Sequence, residues 1–198
     1  MQFKQVSEFI INKLNKELPG HLTYHSIDHT LDVYNAAKNI GEKENITADE
    51  LIILLTAALF HDSGFLLTTK GHEEVSCQIA KKTLPDYGYN TYEIEQICGL
   101  IMATRLPQTP KSHLEKILAD ADLDYLGRDD FFDIGNTLYN ELSLAGLIED
   151  KFTWNQSQFD FMKNHNYFTN TALNLRQVKK AANMDVIKAE LLTQTPIK

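Results

Sequence analysis

The segment LIILLTAALFHD, residues 51–62, closes an unbroken apolar run with a histidine and an aspartate side by side. A run that is apolar on every side must be buried, so His61 and Asp62 stand at the edge of the core. A buried carboxylate is unfavourable unless a cation, a network of donors or a metal ion compensates its charge. Asp62 therefore needs a partner from elsewhere in the chain.

A histidine pair follows the apolar stripe of an upstream segment. His25, His29, Val33 and Ala37 are four residues apart, so the two histidines continue the stripe that the apolar residues mark as inward-facing on a helix. A pair with this spacing can bind a metal ion. Taken alone, however, a core histidine with its hydrogen bonds satisfied is the commoner explanation.

Three aspartates alternate in the segment KILADADLDYLG, residues 116–127. Leu118, Asp122 and Leu126 are four residues apart, which places Asp122 on the apolar stripe of a helix. Asp120 and Asp124 fall nearer the flanks, where a solvated acidic face or caps near a helix end explain them as well as a site does. Neither explanation fits Asp122, because an aspartate on a core stripe needs a compensating partner.

Polar groups on apolar faces thus come from three separate predicted helices. They are two imidazoles and two carboxylates: His29, His61, Asp62 and Asp122. Mixed imidazole and carboxylate ligands without thiolate suit Mn²⁺, Fe²⁺, Zn²⁺, Ni²⁺ or Mg²⁺ and leave coordination positions open for water or a substrate. The sequence predicts a divalent metal site whose ion compensates the charge of Asp62.

The remaining pattern predicts the helices that must position these groups. Capping boxes at Thr47 with Glu50 and at Ser112 with Glu115 each open an apolar-periodic stretch. Glycines and prolines mark the helix ends, and no strand-like alternation has a useful length. The predicted helices lie near residues 3–16, 26–41, 48–62, 72–84, 91–105, 113–126, 130–145, 150–164 and 169–192.

These elements predict an all-α fold, a single-domain helical bundle over residues 1–198 without a linker or an internal repeat. Cys77 and Cys98 lie inside helical patterns and are expected to be buried free thiols. His165 and Lys180 are expected at the surface. Only the tail TQTPIK, residues 193–198, is expected to fray.

Composition narrows the classes of function. The formal charge of −8 argues against a general nucleic-acid binder, because phosphate backbones demand a basic surface. Neither a signal peptide nor a membrane span is recognisable, so we expect a cytoplasmic protein without membrane partners, either a monomer or a homodimer. A small anionic ligand is compatible with the charge, since a bound metal or a few local cations override the overall sign.

The three polar segments resemble motifs of the HD-domain superfamily of metal-dependent phosphohydrolases, and the chain is similar to its small stand-alone bacterial members. YHSIDH at 24–29 resembles the family's opening histidine motif, LFHDSG at 59–64 its His-Asp doublet, and ILADADLDYLG at 117–127 its closing aspartate. The resemblance covers roughly residues 20–130. The helices over 130–192 are expected to pack on this part.

The resemblance implies a helical bundle of the HD-domain type and a hydrolase that cleaves a phosphate ester of a nucleotide or another small phosphorylated metabolite. Phosphomonoesterase, phosphodiesterase and pyrophosphohydrolase activity are all left open. The implied ligands of the divalent metal are His29, His61, Asp62 and Asp122. His25 then supports a ligand without binding the metal itself. Asp120 either has the same supporting role or is an alternative ligand.

The sequence also departs from specialised members of the family. Phe65 and Leu66 stand where some members carry a glutamate or a lysine after the doublet, so neither specialised activity is indicated. Thr104 and Arg105 lie about where members with two metals carry a histidine pair. One metal ion is therefore favoured over two, with His72 as the best additional ligand for a second ion.

A hydrolytic role suggests further functional residues. Asp62 is expected to orient or deprotonate the attacking water, and His72 or Glu73 to protonate the leaving oxygen. Lys70 and Arg105 are candidates to bind the phosphoryl group, with an ordinary solvated cation as the commoner explanation for each. Two other functions stay open, which are a signalling module that binds a metal or nucleotide without turnover and, less favoured, a di-iron oxygenase of the HD type.

Overall fold

The computed structural model describes residues 1–194, and all regular structure in this range is helical. The all-α prediction is therefore confirmed. The α-helices are α1 Phe3–Glu17, α2 Ile27–Lys43, α3 Ala48–Phe60, α4 His72–Thr83, α5 Thr91–Ala103, α6 His113–Asp122, α7 Phe131–Leu144, α8 Lys151–Asn164 and α9 Asn170–Gln194. Short 3-10 helices span Ser63–Leu66, Leu84–Tyr87 and Asp124–Gly127.

The helix starts follow the predicted capping chemistry. The Glu50 backbone N–H donates to the Thr47 side chain, and the Thr47 backbone N–H donates to the Glu50 carboxylate at 2.8 Å. Ser112 and Glu115 form the same reciprocal arrangement at the start of α6. Asn90 opens α5 with a third capping box that the prediction overlooked. These bonds satisfy backbone N–H groups that lack a partner within the helix.

The chain divides into two compact units, residues 1–123 and the part that begins at Asp124. The first unit contains α1 to α6, and the second contains α7 to α9. That residues 1–198 form one domain stays a prediction. Of the tail that was expected to fray, residues 195–198 lie outside the described part of the chain.

Helix α3 is the central element of the first unit. It contacts all five other helices of this unit, and every residue from Ile53 to Phe60 is buried. This burial is what an all-round apolar sequence requires. The free thiols Cys77 and Cys98 are also buried, as predicted. Among the described residues, no helix is both long enough and apolar enough to span a bilayer.

Helix α3 ends at Phe60, two residues earlier than predicted. Asp62 leaves the helical conformation (φ −104°, ψ 8°), and the chain continues as the 3-10 helix Ser63–Leu66. Gly64 lets this 3-10 helix approach α4, because a Cβ at this position would lie 2.0 Å from the carbonyl oxygen of His72. The local turn therefore fixes Asp62 close to the start of α4.

In the second unit, the 3-10 helix Asp124–Gly127 packs on α9. The Arg176 guanidinium donates two hydrogen bonds to the Asp124 carboxylate, at 2.7 and 3.0 Å. The Asn183 amide donates to the carbonyl oxygens of Leu126 and Arg128, each at 3.1 Å. These paired polar groups secure the start of the second unit.

Candidate metal centre

Three elements of the first unit bring histidine and aspartate side chains to one point. His29 lies in the first turn of α2, His61 directly follows α3, and Asp122 is the last residue of α6. One ligand atom from each of these three residues lies within 4.8 Å of the other two. The three sequence motifs thus meet in space.

Asp62 joins this group through both histidines. Its Oδ2 atom lies 3.4 Å from His29 Nε2 and 3.3 Å from His61 Nε2. Asp122 Oδ1 lies 3.4 Å from each of the same two nitrogens, which are themselves 3.4 Å apart. We refer to His29, His61, Asp62 and Asp122 as the His/Asp cluster.

The spacing within the His/Asp cluster fits a shared metal ion. Nitrogen and oxygen ligands lie about 2.1 Å from Zn²⁺ and similar ions, so neighbouring ligand atoms lie roughly 3.0–3.4 Å apart in tetrahedral or octahedral geometry. The histidine–carboxylate and histidine–histidine distances in the cluster, 3.3–3.4 Å, agree with this range. The donor set, two imidazoles and two carboxylates without thiolate, is compatible with several divalent metals.

An unpaired atom supports the same conclusion. Asp62 Oδ2 is buried and has no hydrogen-bond partner among residues 1–194. Its second oxygen, Oδ1, faces His72 Nε2 at 3.3 Å. Since a buried carboxylate oxygen needs a compensating positive charge, either the neighbouring His61 in its protonated form or a metal ion held between the same groups explains why Asp62 Oδ2 is tolerated.

The His61 ring is oriented for ligation. The side chain is fully buried, and its Nδ1–H donates to the carbonyl oxygen of Ala58 at 2.7 Å. This bond orients the ring so that Nε2 points at the cluster. Burial lowers the pKa of His61, but the charges of Asp62 and Asp122 outweigh burial and raise it well above its usual value.

The pKa values of the two carboxylates in the cluster shift downwards, opposite to that of His61. Burial raises the pKa of Asp62, but His61 and His72 outweigh it and hold the pKa well below its usual value. For Asp122, burial is likewise outweighed by hydrogen bonds with His29 and His61, so its pKa falls to about 2. Both carboxylates are therefore ionised at neutral pH and available as ligands.

Aromatic stacking positions His72 at the rim of the cluster. The Phe65 ring stacks on both His25 and His72, with centroid distances of 4.1 Å for both pairs, and the centroids of the two imidazole rings are 6.2 Å apart. His25 lies before α2 rather than on it, and its ring centroid is 6.1 Å from that of His29. Burial lowers the pKa of His72, but the hydrogen bond and charge of Asp62 outweigh burial and raise it.

Arg105 connects to the cluster through carboxylates. Its guanidinium donates to Glu73 Oε2 at 3.2 Å and also pairs with Glu74. Glu73 is buried, and its Oε1 atom lies 3.7 Å from His72 Nε2. Lys70 differs, since it is exposed in the turn before α4, where its backbone carbonyl accepts a bond from Thr68.

Several contacts around the His/Asp cluster were not predicted from the sequence. The sequence marks Phe65 only as a departure from the family pattern, yet its ring stacks on both His25 and His72. The pairing of Arg105 with Glu74 was also missed. The HEE sequence at the start of α4 was the available signal, because it places an acidic pair beside a candidate histidine.

The structure corrects the predicted positions of four residues that were expected at the surface or on the flank of a helix. Asp120 is fully buried and Asp124 is 2% exposed, so neither belongs to a solvated acidic face. Lys180 is 3% exposed and donates to the backbone carbonyl of His165. Both ring nitrogens of His165 are buried, because the ring lies against Tyr167. The helical periodicity did not reveal these partners, which lie far away in sequence or past a helix end.

Comparison with known proteins identifies the family. Residues 26–124, half of the 198 residues, match the model of the HD domain. An uncharacterised protein of Clostridium beijerinckii is 40% identical over 84 residues, which are 41% of this chain and 53% of the relative. The chain thus spans about half the length of this curated relative.

Solved structures show the same fold. A crystal structure of a predicted HD superfamily hydrolase from an uncultured Thermotogales bacterium has 22% identity and a TM-score of 0.63, and the match covers 98% of this chain and 100% of that one. Bacillus subtilis YpgQ, crystallised in complex with ADP, has 21% identity and a TM-score of 0.68 over 99% of this chain and 98% of that one. With the family match over half of its residues, the chain belongs to the HD-domain family.

Proposed function

We propose that the protein is a metal-dependent phosphohydrolase that cleaves a phosphate ester of a nucleotide or another small phosphorylated metabolite. The observation that carries this proposal is the convergence of His29, His61, Asp62 and Asp122, with the buried Oδ2 atom of Asp62 lacking any other partner in residues 1–194. These four residues hold the metal. A divalent ion held there supplies polarisation of a phosphoryl group and makes a water molecule more acidic.

His72 is the proposed general acid. Hydrolysis joins a water oxygen to phosphorus and breaks the bond to the leaving oxygen, which must gain a proton. His72 Nε2 faces Asp62 Oδ1 at 3.3 Å, and the raised pKa of His72 favours the protonated ring. Glu73 is less suited to donate, because it accepts a hydrogen bond from Arg105.

Asp62 is proposed to orient the attacking water or to deprotonate it. Its carboxylate lies between the histidines of the cluster on one side and His72 on the other. The same residue thus touches both the metal ligands and the proposed acid. This placement allows the proton released from the water and the proton given to the leaving oxygen to be handled at adjacent groups.

Cationic side chains complete the proposed site. The Arg105 guanidinium holds Glu73 beside His72, and its remaining N–H donors supply positive charge for phosphoryl oxygens. Lys70 is exposed at the start of α4 and is proposed to meet the outer part of the substrate. The ADP bound by the structurally similar YpgQ supports a nucleotide as the substrate class.

Product analysis tests this proposal. We would incubate the purified chain with nucleoside mono-, di- and triphosphates and with phosphorylated metabolites, each with Mn²⁺, Mg²⁺, Ni²⁺ or Fe²⁺. Phosphate, pyrophosphate and the organic product would be quantified separately, which distinguishes removal of a single phosphate from release of pyrophosphate. Asp62→Asn is the test variant because it keeps the shape of the side chain and removes its charge.

Asp185→Asn is the matched control, since Asp185 is an exposed carboxylate on α9. We expect metal-dependent product from the wild type and from Asp185→Asn, and a loss of at least about a hundredfold in Asp62→Asn, more than removal of an outer-sphere partner typically causes. Stoichiometric metal without any product would contradict the proposal in favour of a binding module. Oxygen consumption by the iron-loaded chain would contradict it in favour of an oxygenase.

A further inference from the structure

A cavity of about 240 Å³ lies in the second unit, lined by residues of α7, α8 and α9. We call it the α7–α9 pocket. It is smaller than the roughly 300–1,000 Å³ of pockets that enclose drug-sized ligands, so its occupant is smaller than a nucleotide. Its lining combines Trp154 with amide side chains and two opposite charges, Lys151 and Glu190.

A glutamine amide lines this pocket. Gln158 is 7% exposed, and its side chain is one of the lining groups. An amide carries two donors and an acceptor, so it can both donate to and accept from a ligand. Gly135 makes room for this amide, because a Cβ there would lie 2.8 Å from Gln158 Nε2. The lining of the pocket therefore offers an amide to a polar ligand group.

The charged side chains stand at the mouth of the pocket. Lys151 and Glu190 are exposed, and no described carboxylate lies within 4.0 Å of Lys151 Nζ, which contacts Asn136 Oδ1 at 2.6 Å. The buried Asn155 amide donates to Glu190 Oε2 at 2.9 Å and so fixes that carboxylate. One cation and one anion at the same opening, not paired with each other, complement a zwitterion.

We propose that the α7–α9 pocket binds a free α-amino acid with a short polar side chain. The α-carboxylate contacts Lys151, the α-ammonium contacts Glu190, and the side chain reaches the Gln158 amide beside Trp154. A side-chain amide is the best complement of Gln158, because one amide can both donate to and accept from another. L-glutamine and L-asparagine are therefore the first probes. This site is independent of the proposed hydrolase activity.

Calorimetric titration of the full chain with matched ligands tests the proposal without any variant. L-glutamine carries both charges, N-acetyl-L-glutamine lacks the ammonium, and L-glutaminamide lacks the carboxylate. We expect saturable binding of L-glutamine or L-asparagine and a loss of at least about tenfold for each analogue, the usual effect of one missing charge-assisted hydrogen bond. No saturable binding of either amino acid, or equal binding of all the analogues, would overturn the proposal.

Variants then assign the contacts. Lys151→Met is expected to weaken L-glutamine at least about tenfold while leaving L-glutaminamide unchanged, since that analogue has no carboxylate to lose. Glu190→Gln should act in the same way on the ammonium, and Gly135→Ala should weaken L-glutamine by crowding Gln158. Lys188→Met, at an exposed lysine of α9, is the control. If the affinity for L-glutamine is unchanged in both Lys151→Met and Glu190→Gln, the ligand binds elsewhere and the assignment is overturned.

Discussion

In the first unit, buried and half-buried side chains from separate elements converge, and Asp62 Oδ2 lies beside two histidine nitrogens without a hydrogen bond to any described residue. In the second unit, Asp124, Lys180 and Asn183 are equally buried, but each has a direct hydrogen-bond partner. Pairing of this kind is how buried polar groups stabilise a fold. Convergence of imidazole and carboxylate atoms without such hydrogen bonds is instead the arrangement that could hold a metal ion.

His165 shows where this distinction needs care. Both of its ring nitrogens lack a hydrogen-bond partner in the described chain, although it belongs to the second unit. Burial, reinforced by the nearby Lys180 cation, lowers its pKa to about 4. The ring is therefore neutral near pH 7, and an unpaired neutral ring is far less costly than an unpaired carboxylate. An orphaned nitrogen alone does not indicate a metal site.

The largest predicted effect concerns the packing that supports the site in the first unit. Gly64→Ala should destabilise the protein by about 3 kcal/mol or more, since its Cβ would meet the His72 backbone rather than a flexible side chain. Denaturant unfolding measures the change. Gly99→Ala is the control, because its Cβ would meet only the Glu115 side chain at an ordinary 3.7 Å. Equal stability of the two variants would show that the 3-10 helix does not pack tightly on α4.

Asp124→Asn tests the structural role of paired groups in the second unit. Removing the charge should cost about 3 kcal/mol, because it leaves the Arg176 guanidinium without its carboxylate. Metal binding should not change. Lys179→Met, which breaks an ion pair with the 96%-exposed side chain of Asp129, should cost less than about 0.5 kcal/mol. Loss of metal in Asp124→Asn with unchanged stability would reverse the distinction between the two units.

The lowered pKa of His165 in the folded state predicts that the free energy of unfolding depends on pH. Its pKa is about 4 in the folded state and about 6.5 in the unfolded chain, so the unfolded state binds more protons between these values. The free energy of unfolding should therefore fall as the pH falls from 6.5 to 4. His165→Phe should reduce this loss by about 2 kcal/mol, as measured by urea unfolding at both pH values. The same result for His113→Phe, at an exposed histidine, would contradict the assignment.

The smallest predicted effect concerns the rim of the first unit. Arg105→Gln should lower kcat/KM for the phosphorylated substrate by about tenfold, because it releases Glu73 and removes positive charge. Metal content should be unchanged, since Arg105 pairs with Glu73, which lies beside His72, rather than with one of the four residues of the His/Asp cluster. Lys81→Gln, in an exposed ion pair with Glu95, should have no effect. Metal loss in Arg105→Gln would mean that the rim and the cluster are not separable.

Much of the first unit could be predicted from the sequence, because its signals are local. Capping boxes and the spacing of four define helices, and a carboxylate at the end of an apolar run marks a buried charge. Asp62 and Asp122 were found in this way, and the two residues do converge with the histidines. The stacking of Phe65 was not predictable, since the turn at Asp62 that aims it depends on packing against α4.

The second unit was harder to predict because its polar contacts join distant positions. Asp124 pairs with Arg176, 52 residues later, and the Asn155 amide meets Glu190, 35 residues later. Periodicity places a residue on a face of its own helix but does not identify the neighbour on that face. Lys180 therefore resembled a surface lysine, and the α7–α9 pocket gave no local signal.

Metal binding tests the central claim most directly. Equilibrium dialysis of the metal-free chain against Mn²⁺, with metal and protein both quantified, measures stoichiometry and affinity for the wild type, Asp62→Asn and Asp185→Asn. We predict one ion per chain in the wild type and in Asp185→Asn, and an affinity lower by at least about a hundredfold in Asp62→Asn. A wild type that binds no divalent metal, or an Asp62→Asn variant that binds as tightly as the wild type, would contradict the account.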